Sequence, residues 1–203
     1  MWLADAPPLV LASASSSRRA VLAGAGLPFS AEAAAVDEAE LKAAAKAEGM
    51  SAGEAALLLA GAKAERIARR HPEALVIGCD QLLVCGERWF DKPVDLPEAA
   101  AHLRALAGQA HVLETAMVVW RNGRQIWQHL ERPRLEMRAL SEAFIAAYLA
   151  LEGEQVLSSV GAYRLEGPGV HLFTTIKGEH SAILGLPLLP LLGFLRQHAV
   201  LRG

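Results

Sequence analysis

The stretch Ala74–Cys85, ALVIGCDQLLVC, decides the fold class and marks the place where chemistry is expected. Its apolar residues are those of a buried strand of full length. Asp80 and Gln81 interrupt the run in its middle. If the strand is regular, their side chains face opposite sides, so only one of them enters a given pocket unless the strand ends or bulges there. The alternative is that the strand stops at Cys79 and that Asp80 caps a turn.

Helices and further strands are predicted on both sides of this strand. A short buried strand over 9–12 runs into a serine-rich loop and a helix over 18–25, and a capping-box pattern at 51–54 begins a helix over about 52–70. Asn122-Gly123 is a strong hairpin signal. This alternation predicts a mixed α/β protein. The remaining predicted elements are helices after 38, over 97–108, over 141–151 and at the leucine-rich C terminus, and strands over 111–120, 125–137, 156–163 and through Phe173.

Length and composition exclude several classes of protein. With 203 residues, 53% of them hydrophobic and 21% charged, the chain fits one domain over 1–203, or one domain with two lobes, and is neither disordered nor fibrous. A formal net charge of −2 provides no general basic field, so no nucleic acid polymer or acidic membrane surface is expected as a partner. Aromatic residues make up only 5%, which argues against base-stacking platforms.

The cysteines and the late apolar run bear on location. Cys79 and Cys85 are too few for a disulfide framework and lack the paired spacing of a zinc site, so we expect a reducing, cytoplasmic setting. The apolar run 182–195 is broken by Pro187 and Pro190 and is too short to cross a bilayer. A soluble protein is therefore expected.

The segment 13–19, SASSSRR, places hydroxyls and guanidinium groups where a strand turns into a helix. Backbone N–H groups at a helix N-terminus favour anions, and arginine grips phosphate oxygens with paired hydrogen bonds. Phosphate binding by Ser13, Ser15 and Arg18 is one interpretation. A serine-capped helix with two solvated arginines is the other.

A buried acid and a lysine on an apolar helix stripe are the other candidates. Asp80 lies among apolar residues, so its carboxylate must be desolvated, paired or metal-bound, and each option suits it to act as a base. Lys63 lies in line with the apolar stripe of its helix and needs an anion there, unless it is a snorkelling lysine at the edge of the core. Lys92 and Glu38 are ordinary when each is considered alone.

Several well-known site patterns are missing from the sequence. It contains no Gly-rich loop ending in Gly-Lys-Ser/Thr, no Gly-x-Gly-x-x-Gly after a strand, no His-Glu-x-x-His and no Gly-x-Ser-x-Gly. The seven histidines form no pair with the spacing of metal ligands. A P-loop, a dinucleotide fold, a zincin site and a serine-hydrolase elbow are therefore excluded.

Taken in order, the motifs resemble the Maf family of nucleoside triphosphate pyrophosphatases over nearly the whole chain. Each motif is weak by itself, but chance does not explain their order. The motifs are Leu11-Ala12-Ser13-Ala14-Ser15 followed by Arg18-Arg19, Val36-Asp37-Glu38, Ala62-Lys63-Ala64, Ile77-Gly78-Cys79-Asp80, Lys92-Pro93, Gly161-Ala162-Tyr163 and Gly185-Leu186-Pro187.

The resemblance implies hydrolysis of a nucleoside triphosphate to its monophosphate and pyrophosphate with Mg²⁺ or Mn²⁺. It also implies an elongated mixed sheet flanked by helices, with two lobes around a central cleft, and a homodimer. Positive side chains and the metal would offset the charge of the triphosphate. The roles it implies are Asp80 as catalytic base, Ser13, Ser15, Arg18, Lys63 and Lys92 as substrate ligands, and Glu38 with Asp80 as metal ligands.

Substrate choice is also suggested by the resemblance. Gln81 and Glu166 match the branch that resembles 7-methyl-GTP pyrophosphatases, and Glu166 would accept hydrogen bonds from a guanine edge. Its alternative is a solvated residue before a Gly-Pro-Gly turn. Ser17 stands where that branch has an aromatic residue, which removes a stacking partner for the base. Further departures from the family pattern are Ser16, Asp91, Ser158-Ser159 and Ala182.

These departures motivate a rival hypothesis from another functional class. In it the chain is a nucleotide-binding regulator that has lost activity, since the family resemblance includes a link to septum formation in cell division. Both hypotheses predict triphosphate binding, and only the first predicts turnover.

Overall fold

The structure, a computed structural model, describes residues 2–3 and 5–202. No helix in this described part combines the length and the apolar character needed to span a membrane. The strands are β1 (Leu9–Leu11), β2 (Ser30–Ala31), β3 (Leu75–Cys85), β4 (Arg88–Phe90), β5 (Ala110–Arg121), β6 (Arg124–Glu131), β7 (Arg134–Met137) and β8 (Phe173–Lys177). The helices are α1 (Ser16–Gly24), α2 (Glu38–Ala47), α3 (Ala52–Ala68), α4 (Leu96–Leu106), α5 (Glu142–Glu152), α6 (His180–Ile183) and α7 (Leu188–Gln197). Three 3₁₀ helices lie at Gly153–Ser158, Val160–Ala162 and Pro168–Leu172.

The strands form a mixed sheet, as the sequence predicts. Over the described residues its order is β2-β1-β3-β5-β7-β8, with β4 paired to β3 and β6 paired to β5. β1 runs parallel to β2 and β3, and the other pairs with an assigned register are antiparallel. Leu11 at the end of β1 lies opposite Ile77 of β3. The loop after β1 therefore begins beside the part of β3 that carries Asp80.

The chain divides into two compact units, and both β3 and β5 contribute residues to each of them. The first unit comprises the described residues through Asp80, Thr115–Glu131 and those from Glu179 onward; its core includes the fully buried Leu11 and Ile77. The second comprises Gln81–Glu114 and Arg132–Gly178, with a core of α4 leucines and buried aromatic residues. The single domain over 1–203 stays a prediction.

β3 is continuous through the polar pair at its centre. It runs from Leu75 to Cys85, and its second half is held by antiparallel pairing with β4, in which Leu83 faces Phe90. The alternative in which the strand stops at Cys79 and Asp80 caps a turn is therefore wrong. Strand alternation places Asp80 and Gln81 on opposite faces, and their burial differs accordingly, since Asp80 is buried and Gln81 only partly so.

The predicted strand over 156–163 is absent, and two of the 3₁₀ helices occupy this stretch instead. Gly161 and Ala162 have φ values of 77° and 60°, which an extended strand does not accommodate. A Cβ atom on Gly161 would lie 2.5 Å from Cδ1 of Leu83, so the tight turn brings the backbone against the second unit's core. The apolar residues that suggested a strand, such as Val156, are buried without pairing in a sheet.

The predicted strand over 125–137 is divided into β6 and β7. The break falls at Arg132-Pro133, where the proline has no N–H to donate to a strand ladder. Its carbonyl still accepts a hydrogen bond from the Leu113 N–H at 2.9 Å. The two halves pair with different parts of β5 as a result.

Candidate active site

The loop between β1 and α1 holds two serine hydroxyls at a helix N-terminus. Ser15 is the N-cap of α1, and its Oγ accepts a hydrogen bond from the Arg18 N–H at 3.4 Å. The Ser15 N–H donates in turn to Oγ of Ser13 at 3.2 Å. α1 begins at Ser16, so Ser17 lies in its first turn. The hydroxyls predicted to contact phosphate are thus held beside backbone N–H groups that favour anions.

The Arg18 guanidinium is fixed by neutral acceptors. Its Nε donates to the Gly185 carbonyl at 2.9 Å, and its Nη1 donates to the Cys79 carbonyl at 2.9 Å and to Oγ of Ser13 at 3.3 Å. None of these acceptors is a carboxylate. The side chain is therefore held in place next to β3 while its positive charge is left for an anionic ligand.

Gly185 permits this arrangement, and sequence reasoning missed the contact. Its φ of 94° lies in the region that glycine favours, and a Cβ atom there would lie 3.0 Å from Nε of Arg18. The carbonyls of Gly185 and Cys79 cannot be identified as arginine acceptors from side-chain types. The only signal was the glycine of the Gly185-Leu186-Pro187 motif.

Three charged side chains of the first unit meet at Lys63. Its Nζ lies 2.5 Å from Oδ1 of Asp80 and 2.8 Å from Oε1 of Glu38. The two carboxylate oxygens are therefore no more than 5.3 Å apart, the sum of these distances. Lys63 is 8% exposed and Asp80 4%, whereas the Glu38 side chain is 46% exposed. The cluster is thus buried at the lysine and Asp80 and open at Glu38.

The helix that carries Lys63 approaches β3 closely because of Gly78. A Cβ atom on Gly78 would collide with the backbone carbonyl oxygen of Ala60 and would lie 2.8 Å from Cβ of Ala64, both on α3. Without that atom, the α3 backbone packs directly against the strand residue two positions before Asp80. The apolar stripe containing Lys63 therefore faces β3, so the lysine is buried against its anion and does not snorkel to solvent.

The carboxylates fit a magnesium or manganese ion that is shared with a substrate. Oδ2 of Asp80 is shielded from solvent and has no hydrogen-bond partner in the described part of the chain. Among the same residues there is no group of three or more His, Cys, Asp or Glu side chains that could hold a metal. Mg²⁺ characteristically uses one or two carboxylates together with substrate phosphates, so the donors Glu38 and Asp80 suit that mode of binding.

Cys79 adjoins this cluster but lacks the character of a nucleophile. The thiol is fully buried, and burial raises its pKa to about 11. A thiol with that pKa is almost entirely protonated at neutral pH, whereas the thiolate is the reactive form. Cys79 contributes its backbone carbonyl to Arg18, and its side chain belongs to the core.

The remaining candidates, Gln81, Lys92 and Glu166, belong to the second unit. Lys92 is exposed in the loop between β4 and α4. The Glu166 side chain is 34% exposed, and its Oε1 lies 3.8 Å from Nε of Arg164. Arg164 also lies 3.6 Å from the buried Glu152. Arg164 is thus shared between the carboxylates of Glu152 and Glu166.

Comparisons with known proteins agree with the motifs and the fold. The family model described as "Maf-like protein" matches residues 8–198. A protein of Granulibacter bethesdensis named nucleoside triphosphate pyrophosphatase is 55% identical over 193 residues, which are 95% of this chain and 98% of that protein. A Rhodospirillum rubrum protein with the same name is 51% identical, over 96% of each chain.

A relative with a narrower name is similar to the same extent. A 7-methyl-GTP pyrophosphatase of Rhizobium meliloti is 50% identical over 191 residues, which are 94% of this chain and 96% of that protein. These alignments extend over nearly the full length of each partner, as the family match does. The chain belongs to the Maf-like protein family.

Proposed function

We propose that the chain is a nucleoside triphosphate pyrophosphatase. Water attacks the α-phosphorus, the bond from that phosphorus to the α–β bridging oxygen breaks, and the nucleoside monophosphate and pyrophosphate leave. The observation that carries the proposal is the buried Asp80 carboxylate held against Lys63 beside Glu38, in a chain whose relatives have this activity in their names.

In this reaction Asp80 is the base. Its Oδ1 is occupied by Lys63, whereas its buried Oδ2 has no partner among the described residues and is the oxygen available to accept a proton from water. Because Oδ2 is shielded from bulk water, the proton from the attacking water would be transferred to this one oxygen and not to solvent. Lys63 holds the carboxylate in one orientation and balances its charge when the site is empty.

The phosphates are bound by the α1 end of the site. Arg18 is held by neutral acceptors and pairs with phosphate oxygens, while Ser13 and Ser15 position them at the helix N-terminus. Lys92 from the second unit is proposed as a further phosphate ligand. A divalent cation bound by Glu38 and Asp80 would offset the charge that develops on the leaving pyrophosphate.

The test is a panel of nucleoside triphosphates with Mg²⁺ or Mn²⁺, with monophosphate and pyrophosphate measured separately. Asp80→Asn should lower kcat on the order of 10²-fold or more, because the amide cannot accept the proton. Glu73→Gln is the matched control, since it neutralises an exposed carboxylate just before the same strand. Full activity in Asp80→Asn would move the base elsewhere.

The same panel tests the rival hypothesis of a nucleotide-binding regulator. The relatives reported above have enzyme names, which favours turnover. A protein that binds triphosphates tightly but hydrolyses none of them would restore the regulator hypothesis. We also propose that the enzyme forms a homodimer, which light scattering would detect, and that it is located in the cytoplasm.

We further propose 7-methyl-GTP as a substrate, with Gln81 and Glu166 as specificity residues and Ser17 contributing no stacking. Support comes from the Rhizobium meliloti relative and from the match of Gln81 and Glu166 to the pattern of that branch. Glu166→Gln should change the ranking among bases more than the rate for the best substrate, because the amide donates where the carboxylate only accepts. Glu154→Gln, at an exposed site of the same unit, is the control. An unchanged ranking would remove Glu166 from specificity.

A further inference from the structure

Two arginines face each other at the end of the β5–β6 hairpin in the first unit. Arg121 and Arg124 are directly opposite in the antiparallel register, and the turn between them has Asn122 at φ 51° and Gly123 at φ 72°. Opposite residues of such a pair project to the same side of the hairpin, and like charges in this position are destabilising. The hairpin thus maintains a concentration of positive charge at a cost in stability.

These arginines line a pocket with a volume of about 470 Å³. A register shift between Val119 and Trp120 leaves Ile126 without a partner in β5, and this bulge contributes an apolar wall. No lining residue is acidic. Asn122 and Gln125 carry amides, and Nε2 of Gln125 donates to Oε1 of Gln128 at 2.8 Å. The lining residues, which we call the hairpin pocket, are Arg121, Asn122, Arg124, Gln125, Ile126 and His198.

The pocket lacks a negative group that would balance the charge. Within the described part of the chain, neither Arg121 nor Arg124 forms an ion pair with a carboxylate, and the Nε of Arg121, shielded from solvent, has no hydrogen-bond acceptor. The Nδ1 of His198 donates to the Phe194 carbonyl at 2.9 Å, which leaves Nε2 for another group. Two guanidinium groups, the Asn122 amide and an imidazole nitrogen therefore line one open pocket that is large enough for a phosphate-bearing anion.

We propose that the hairpin pocket binds a small phosphate-bearing anion, and that inorganic pyrophosphate is its best ligand. Planar guanidinium groups form paired hydrogen bonds with phosphoryl oxygens, and a bound phosphoryl group would remove the repulsion between Arg121 and Arg124. Pyrophosphate offers a phosphoryl group to each arginine. The choice of pyrophosphate rests on the proposed function, whose product it is, whereas the anion site follows from the pocket alone.

The test is a titration of the full chain with sodium pyrophosphate, and separately with phosphate and sulfate, without divalent metal and at low ionic strength. NMR of the arginine Nε–H groups locates binding, since Arg121→Gln and Arg124→Gln identify their resonances by loss. Arg18 gives an independent signal for the proposed active site. Saturable shifts of the Arg121 and Arg124 signals are expected, with tighter binding of pyrophosphate than of sulfate.

Affinity in the variants provides the second measurement. Each glutamine variant should weaken binding at the pocket by about 10-fold or more, the loss of a hydrogen bond to a charged group. Neither should lower the melting temperature, because removing one of two like charges relieves repulsion. Arg196→Gln removes an exposed charge of α7 that does not line the pocket, and should leave binding unchanged.

Results that would overturn the hairpin pocket can be told apart from results that would overturn the proposed enzyme activity. Pyrophosphate that shifts only the Arg18 signal would overturn the pocket and leave the enzyme proposal intact. If Arg196→Gln weakens pyrophosphate binding as much as the pocket variants do, binding depends on the overall charge of this region, and the proposed pocket is overturned. Binding of sulfate as tight as that of pyrophosphate would overturn pyrophosphate as the preferred ligand. Saturable pocket binding in a chain that hydrolyses no triphosphate would support the anion site by itself.

Discussion

Replacing Lys63 by methionine tests how much the buried ion pair between Lys63 and Asp80 stabilises the fold. Methionine has nearly the shape of lysine but cannot donate a hydrogen bond. Among the described residues, Lys63 is the only hydrogen-bond partner of Oδ1 of Asp80, and Oδ2 has none. Breaking a buried pair from one side typically costs about 3–5 kcal/mol. The half-exposed carboxylate of Glu38 lies no more than 5.3 Å from Asp80, by the sum of the two distances to Lys63, and its charge has the same sign.

We therefore expect Lys63→Met to lower the free energy of unfolding by about 3–5 kcal/mol at pH 7, because it leaves the buried Asp80 carboxylate without its counter-charge.

Urea denaturation followed by circular dichroism measures these values for Lys63→Met, Asp80→Asn and the double variant. Since asparagine is neutral, the double variant should be more stable than Lys63→Met alone, with a coupling energy above about 1 kcal/mol. Losses that add within about 0.5 kcal/mol would refute the reasoning, as would a loss below about 1 kcal/mol for Lys63→Met.

Two further predictions concern acid stability and helix packing. Burial lowers the pKa of His111 to about 4, so the unfolded chain binds a proton below pH 6.5 that the folded chain resists, and the free energy of unfolding should fall by about 2 kcal/mol from pH 8 to pH 5. In urea denaturation, His111→Leu should abolish this loss of unfolding free energy between pH 8 and pH 5, whereas His171→Gln, at an exposed site, should leave it unchanged. The same pH dependence in the wild-type chain and both variants would contradict the role of His111. Gly78→Ala should cost about 1–3 kcal/mol and lower kcat, because its Cβ would push α3 away from β3. Gly24→Ala, whose Cβ would meet nothing within 4 Å, is the control, and equal stability of the two variants would contradict the packing argument.

Local sequence signals predicted the elements that carry the first unit's site. The apolar run around Asp80 identified β3, and the stripe position of Lys63 required an anion, which the structure supplies as Asp80 and Glu38. Both inferences rest on desolvation, which acts on a charged side chain wherever its surroundings are apolar. The serine N-cap of α1 could also be predicted, because it depends on a hydrogen bond between residues only three positions apart.

The missed features depend on contacts between distant segments. The stretch 156–163 has the apolar content of a strand, but Gly161 turns it against Leu83, about 80 positions away by a rough count of chain separation. The acceptors of Arg18 are main-chain carbonyls, and every residue has one. The types of side chain in the sequence therefore do not indicate which carbonyls accept hydrogen bonds from Arg18.

The anchoring of Arg18 lowers the entropic cost of binding a phosphate at this side chain. A long flexible side chain normally loses rotational freedom when it grips a phosphate, and that loss weakens association. Here the main chain has already immobilised it, through carbonyls that no side-chain mutation at Cys79 or Gly185 deletes. In the proposed reaction the guanidinium is therefore already ordered before a nucleotide arrives.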